Sequence, residues 1–349
     1  MLHLCILKTY IQMKRILLTL VALATICTGT NAQEVFRLGI IGLDTSHSAR
    51  FSQLLNDPES NDPIVQRFEV VAAYPYGTTT IESAAKRIPQ YIEEVQKYGV
   101  KVVDSIQEVL DQVDGVFIET NDGRLHLEQA IEVFKSGKKV FIDKPMGATL
   151  GETIAIFKMA EKYGVKTFSS SALRFAGRNQ ELRAGQYGEV WGADCYSPHN
   201  PEPTHPDFGY YGIHGVEMLY TVMGTGCEKV SRIHSDAGDI VSGCWNDGRL
   251  GCFRALVGGS YIYGGEAFFK KGKSVAMGAY EGYKPLLNAI LTFFETGELP
   301  VTPEETIEIF AFMKASNMSL ERGGKYVTIA EAMKCGEKDA KKLLKKYDR

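Results

Sequence analysis

The chain reads as an α/β protein, with a Rossmann-like doubly wound parallel sheet followed by an α+β domain carrying an open, mainly antiparallel sheet. Three observations predict this. Residues 37–41, 68–73, 115–118 and 140–142 are short, largely apolar runs, the pattern of strands covered on both faces. Between the last two, Leu127, Ala130, Ile131 and Phe134 recur at helical spacing, and Gly137 closes the helix. Beyond residue 190, runs at about 190–196, 230–234, 239–245, 250–257 and 260–263 follow one another closely, which suits an antiparallel sheet with helices on one face.

The first strand, 37–41, leads into Gly42-Leu43-Asp44-Thr45-Ser46-His47, where a dinucleotide fingerprint G-x-G-x-x-G would begin. The second glycine of that fingerprint lets the backbone approach a pyrophosphate, and the third lets the helix pack closely on the strand. Asp44 and His47 stand in those places. An Asp or Thr before a helix is a good N-cap, so Asp44 or Thr45 is expected to cap a helix running to about Leu55. A carboxylate there would fill or repel the anion site at the helix N-terminus.

The second strand, 68–73, ends in Tyr74-Pro75-Tyr76-Gly77. An acidic residue at this point would hold the ribose hydroxyls of a dinucleotide, and none is present. The spacing from His47 to Tyr74 is 27 residues against the usual ~20, and the polar stretch 56–62 accounts for the excess as an insertion. After the strand 140–142 comes Asp143-Lys144-Pro145; proline favours an extended Lys144, projecting its ammonium beyond the carboxyl end of the sheet. A helix over 152–163 and a strand over 165–169 follow.

The run Thr120-Asn121, His126, Ser136-Gly137-Lys138 and Asp143-Lys144-Pro145 resembles the Gfo/Idh/MocA family of sugar and polyol dehydrogenases. That family has a Thr-Pro or similar pair, a His, an Ala-Gly-Lys helix end and Glu-Lys-Pro at these places. The likeness extends through Arg174, the 185–190 segment and the 316–327 run. It implies Gly42 to His47, Thr120, Asn121, His126 and Asp143 at an NAD or NADP site, and hydride transfer to that cofactor. It also implies Lys144 and His214 as proton-transfer groups, with Arg174, His199 and Glu217 toward the substrate. The family's D-x-G-x-H-x-x-D motif appears as Tyr210, Gly212, His214 and Glu217. Tyr210 can donate a proton but is a poor base, since its ordinary pKa is about 10. Asp143 replaces the family's Glu, keeping the charge on a side chain one methylene shorter.

The Pro-rich loop 197–209 contains His199 and His205, which with His214 and Glu217 would offer metal donors; their spacing is irregular, and no metal is assigned. Tyr196, Phe208, Tyr210 and Tyr211 are candidates to face a sugar. The remaining readings are a glycoside lyase or hydrolase with NAD permanently bound or absent, and a sugar-binding protein that has lost the chemistry.

At the amino terminus, Lys14-Arg15, the apolar run 16–26 and Thr30-Asn31-Ala32 predict a Sec-type signal peptide over residues 1–32, with Met13 the favoured start and cleavage before Gln33. The mature protein would then be periplasmic or secreted, without a membrane span. Removing the leader takes Lys8, Lys14 and Arg15 and no acids, so the formal charge of −3 becomes −6, with no basic excess to attract nucleic acid. Five cysteines remain, and Cys244 and Cys252 would face each other across the Asn246-Asp247-Gly248 turn only if its loop has three residues. The expected layout is 35–150 for the Rossmann-like domain, 151–330 for the second domain and 331–349 for a solvated helical tail. A carbohydrate is the expected small-molecule partner; the open sheet of the resembling family often forms subunit contacts, which leaves a homo-oligomer open.

Overall fold

The structure, a computed structural model, describes residues 34–206, 208–258 and 261–347. The predicted leader lies outside the described residues. The first sheet has the strand order β3-β2-β1-β4-β5-β6, all parallel, with β1 at Phe36–Ile41, β2 at Phe68–Tyr74, β3 at Lys101–Val102, β4 at Gly115–Ile118, β5 at Lys139–Ile142 and β6 at Thr167–Phe168. The order reverses between β1 and β4, and the loops that leave these two strands diverge there.

Both faces of this sheet are covered, as its apolar runs require. Leu38, Ile40, Val70, Phe117 and Phe141 point into one cluster, which includes helix α1 (Ser46–Leu55) and helix α2 (Ile88–Lys97). Their neighbours Ile41, Val116, Ile118, Val140 and Ile142 point into another. This opposite face packs on α3 (Ile106–Leu110), α4 (Gly123–Lys135) and α5 (Leu150–Tyr163). Asp122 caps α4 through the Arg124 N–H, and Thr149 caps α5 through the Glu152 N–H.

The second sheet follows α6 (Gly177–Arg183) and has the order β12-β11-β7-β10-β9-β8-β13. Its strands are β7 (Val190–Pro198), β8 (Cys227–Ser235), β9 (Gly238–Trp245), β10 (Leu250–Leu256), β11 (Gly264–Phe269), β12 (Val275–Ala276) and β13 (Val327–Thr328). Only β7 and β10 pair in parallel; the other neighbours are antiparallel. One face is covered by α7 (Ile213–Met223) and α9 (Pro303–Glu321), while Trp191, Ile233, Leu250 and Phe268 are exposed.

Several expectations need correcting. Residues 261–263 form no strand; the chain enters β11 only at Gly264, so the tyrosines at 261 and 263 sit on the approach to the strand. The division at residue 150 also fails, because β6, beyond α5, pairs with β5 as the edge of the first sheet. Helix α8 (Lys284–Thr296) returns from the second region to that sheet, where Phe294 meets Phe36 and Phe117, and Phe293 meets Phe168. The described residues from Phe36 onward form one compact unit. The tail is not merely solvated: α10 (Ile329–Leu344) buries Ile329, Ala332, Gly336 and Ala340 and lies against α5. The β9–β10 register sets Cys244 opposite Leu250 and Cys252 opposite Ser242, and the five cysteines among the described residues are free. No described helix is long and apolar enough to cross a membrane.

Candidate active site

A cavity of about 330 Å³ opens at the carboxyl edge of the first sheet and is closed from above by the second region. Its wall includes Thr45, Ser46 and His47 from the start of α1, Asn121 after β4, and Asp143 and Lys144 after β5. Tyr210, Tyr211 and His214 come from the turn that starts α7, and Tyr263, Tyr280 and Tyr283 complete it with Arg87. Lys144 and His214, which lie far apart in sequence, thus reach the same space. The volume is at the small end of the ~300–1,000 Å³ usual for ligand pockets, a size suited to one sugar ring.

His214 sets its Nδ1 2.7 Å from Ser171 Oγ. Burial, together with the Lys144 and His47 charges, holds its pKa well below the usual imidazole value, so the ring is neutral at neutral pH. The Tyr210 hydroxyl donates to Asn121 Oδ1 at 3.0 Å, and burial raises its pKa, so Tyr210 keeps its proton. The Tyr263 hydroxyl donates to that of Tyr211 at 3.0 Å. Five tyrosines therefore offer ring faces and hydroxyl tips, a surface that suits the alternating C–H and O–H of a polyol.

Asp44 does not do what its position suggests. Thr45 is the N-cap of α1 and makes no side-chain capping bond. Asp44 is wholly buried and accepts from the Thr78 N–H through Oδ2 and from the Asn121 N–H through Oδ1, both at 2.8 Å. Its carboxylate thus ties the loop after β1 to the loops after β2 and β4, across the switch point. Burial raises its pKa against these two bonds. The contact is tight enough that a Cβ on Gly77 would collide with the Asp44 carboxylate. Gly42, at φ 91°, would likewise drive a Cβ into Thr120.

Below the cavity floor lies a second group of charges. His47 Nδ1 is 2.9 Å from Asp143 Oδ2 and 3.6 Å from Glu119 Oε2. Burial alone would lower the His47 pKa, but Asp143 and Glu119 push it up to about 10. Burial and the neighbouring Asp143 charge push Glu119 up to about 8, whereas Asp143 is held below its ordinary value, despite burial, by His47 and Lys144. The sequence reading had missed Glu119. The signal was there: Phe117-Ile118-Glu119 and Phe141-Ile142-Asp143 end adjacent parallel strands, and the pairing of Ile118 with Ile142 sets the two acids side by side.

Of the other sequence candidates, Thr45, Ser46, His47, Asn121 and Asp143 line the cavity, and Gly42, Leu43, Thr120 and His126 do not. His126 is buried with its ring nitrogens 2.7 Å from Thr120 O and 3.0 Å from Pro145 O, which fixes the Thr120 loop to the Lys144-Pro145 loop. Arg174 and Glu217 do not reach the cavity. Arg174 is 1 % exposed and bonds Glu217 and Glu305, each at 2.7 Å, while Arg183 closes the network on Glu305. His199 is also away from it, with its ring against Phe208.

His205 accepts from the Gly123 N–H at 3.0 Å, pinning the Pro-rich loop to the start of α4. The four metal donors proposed from sequence are thus separated among different partners. Tyr196 is part-exposed on β7 and Phe208 is core, so of the four aromatic candidates only Tyr210 and Tyr211 line the cavity.

Comparison with known proteins agrees with this geometry. Residues 36–171 match the family model described as the Gfo/Idh/MocA oxidoreductase family with an NAD-binding Rossmann fold. A probable dehydrogenase from Thermotoga maritima aligns with TM-score 0.69 and 20% identity over 85% of this chain and 100% of that one. The scyllo-inositol dehydrogenase of Lactobacillus casei, solved with NAD(H) and scyllo-inositol, aligns with TM-score 0.68 and 15% identity, covering 85% and 100%. A putative myo-inositol dehydrogenase from Sinorhizobium meliloti 1021 gives 0.68 and 16%, covering 84% and 100%. At these identities the solved structures show a shared fold. No curated protein matches the chain. Residues 36–171 are thus similar to the Gfo/Idh/MocA oxidoreductase family, whose model is described as an NAD-binding Rossmann fold.

Proposed function

We propose that the protein acts on a carbohydrate or polyol as an oxidoreductase, with Lys144 and His214 moving the proton of a substrate hydroxyl. The observation that carries this reading is the convergence of Lys144, from the end of β5, and His214, from the start of α7, on one tyrosine-walled cavity at the switch point. His214 is neutral there and held through Nδ1 by Ser171, so its second nitrogen is left to serve the substrate. Lys144 sits where the chain leaves the sheet and shuttles the hydroxyl proton. Tyr210, fixed on Asn121, orients the ring and is not the base. The inositol dehydrogenases of the same fold support a cyclic polyol as the substrate class.

The residues present fit the nicotinamide end of a dinucleotide and not its pyrophosphate in the usual pose. Asn121, Asp143 and Lys144 leave room at the ends of β4 and β5. Over the turn after β1, however, Asp44 occupies the close-approach position and already uses the Thr78 and Asn121 N–H groups. The proton steps above therefore rest on the chain's own residues. The same observation favours a second reading, elimination or hydrolysis of a glycoside by Lys144 and His214 without an exchanging cofactor. In line with the predicted signal peptide, we propose that the protein works in the periplasm or outside the cell.

Inositols, aldoses and their glycosides should be assayed with and without NAD⁺ and NADP⁺, with product identification. Oxidised polyol formed only with a nicotinamide cofactor is the expected result, and Lys144→Met should abolish it while leaving the thermal melt in place. Cofactor-free cleavage of a glycoside would move the assignment to the second reading. Unchanged turnover by Lys144→Met would remove Lys144 from the mechanism.

A further inference from the structure

We propose that His47, Glu119 and Asp143 form a site for one divalent transition-metal cation of the Zn²⁺ or Mn²⁺ class, with an open coordination position facing the cavity. One imidazole nitrogen and two carboxylates are a donor set that such ions accept. The spacing suits it: an ion held at ~2.1 Å from each donor sets its ligands roughly 3.0–3.4 Å apart. The observed separations from His47 Nδ1 are 2.9 Å to Asp143 Oδ2 and 3.6 Å to Glu119 Oε2, and donors from all three lie within 4.8 Å of one another.

A second observation is independent of the cluster's composition. Glu119 and Asp143 are 0 % exposed, yet neither oxygen of either carboxylate has a hydrogen-bond partner, nor does His47 Nδ1. The 2.9 Å contact between Nδ1 and Asp143 is close but not aligned as an N–H···O bond. Buried polar atoms are nearly always satisfied, so donor atoms that crowd one point without bonding each other indicate an occupant at that point.

Two carboxylates balance a 2+ charge at this largely buried site. The three donors come from the starts of three loops, after β4, after β5 and at the head of α1, so the sheet itself fixes their spacing. Phe51 and Tyr283 pack on the His47 ring, while His47 and Asp143 reach the cavity wall. An ion here would present its open position beside Lys144, where a substrate oxygen would bind. The inference shares the cavity with the proposed reaction, but cation binding does not depend on which reaction occurs there.

The test is calorimetric titration of the chelator-treated, purified chain with ZnCl₂ and with MnCl₂ at neutral pH, without substrate or nucleotide. One ion per chain is expected, with affinity reduced about 100-fold or more in Glu119→Gln and His47→Asn, variants whose folding is checked by thermal melts. Absence of one-to-one binding of either ion, or binding by a folded Glu119→Gln equal to that of the parent, would overturn the site. Should a variant fail to fold, the absorption spectrum of the Co²⁺-loaded parent chain decides. Weak visible bands without a thiolate charge-transfer band support the assignment, whereas a strong thiolate band places the ion on a free cysteine and overturns it.

Discussion

Two groups of buried charge differ in one respect that separates scaffold from site. The Arg174–Glu217–Glu305–Arg183 network and the His47–Glu119–Asp143 cluster are both shielded from solvent and both join distant parts of the chain. In the first, Arg174 bonds two carboxylates, Arg183 makes a bidentate pair with Glu305, and Ser170 donates to Glu217. In the second, four carboxylate oxygens lack hydrogen-bond partners, although His47 lies within ion-pair distance of one oxygen of each acid. Satisfaction of the carboxylates, more than burial or charge, marks the first as structural, although Arg174 Nη2 itself has no partner, and the second as available to a ligand.

The comparison can be broken in four ways. The largest effect is expected at Arg174→Met, which strips buried Glu217 of its cation while Glu305 keeps Arg183, and should cost about 3–5 kcal/mol of unfolding free energy in urea melts. A loss below about 1 kcal/mol would mean that the network is not the clamp it resembles.

Next comes acid. Burial pushes His199 and His205 down to about 4, and an imidazole with a depressed folded-state pKa stabilises fully above its ordinary 6.5 and loses that contribution as pH falls toward 4. Stability should therefore decline through pH 6.5 to 4 with a slope of up to about 1.4 kcal/mol per pH unit for each histidine. His205→Gln should remove one histidine's share of the slope, to which His214 also contributes, and a flat profile in the parent would contradict the buried, neutral assignment.

Asp44→Gly is expected to cost about 2–3 kcal/mol, more than replacement of a simple cap, because two charge-assisted bonds to Thr78 and Asn121 are lost. The same change should raise affinity for NAD⁺, by freeing the close-approach position. Calorimetry and melts on one preparation separate the two effects, and equal affinity would show that Asp44 is not what opposes the pyrophosphate. The smallest effect is expected at Glu119→Gln, which breaks no hydrogen bond and should shift cation-free stability by less than about 1 kcal/mol. A loss like that of Arg174→Met would erase the distinction between the two groups.

Local pattern made much of the fold legible. Strands β4 and β5 were readable because parallel strands buried on both faces need unbroken apolar runs, and α4 because Leu127, Ala130, Ile131 and Phe134 repeat at helical spacing. The error at residues 261–263 has the same origin: aromatic and β-branched residues favour a strand, but here Tyr261 and Tyr263 lie against Tyr211 at the approach to the cavity. The domain boundary was misplaced because α8 reaches back to the first sheet, a contact that no local period encodes.

By itself the sequence determined that Lys144 leaves a parallel sheet at its carboxyl edge and that no second glycine follows Gly42. These follow from short-range geometry: the two-residue period of a strand, the conformation before proline and the space a side chain needs. Only the tertiary structure decided that Asp44 bridges two loops instead of capping α1, that Arg174 and Glu217 satisfy each other away from the cavity, and that Glu119 meets His47 and Asp143. Each depends on which partner a charged side chain finds once water is gone, and that choice is made by residues tens of positions apart in sequence, brought together only when the sheets and helices pack.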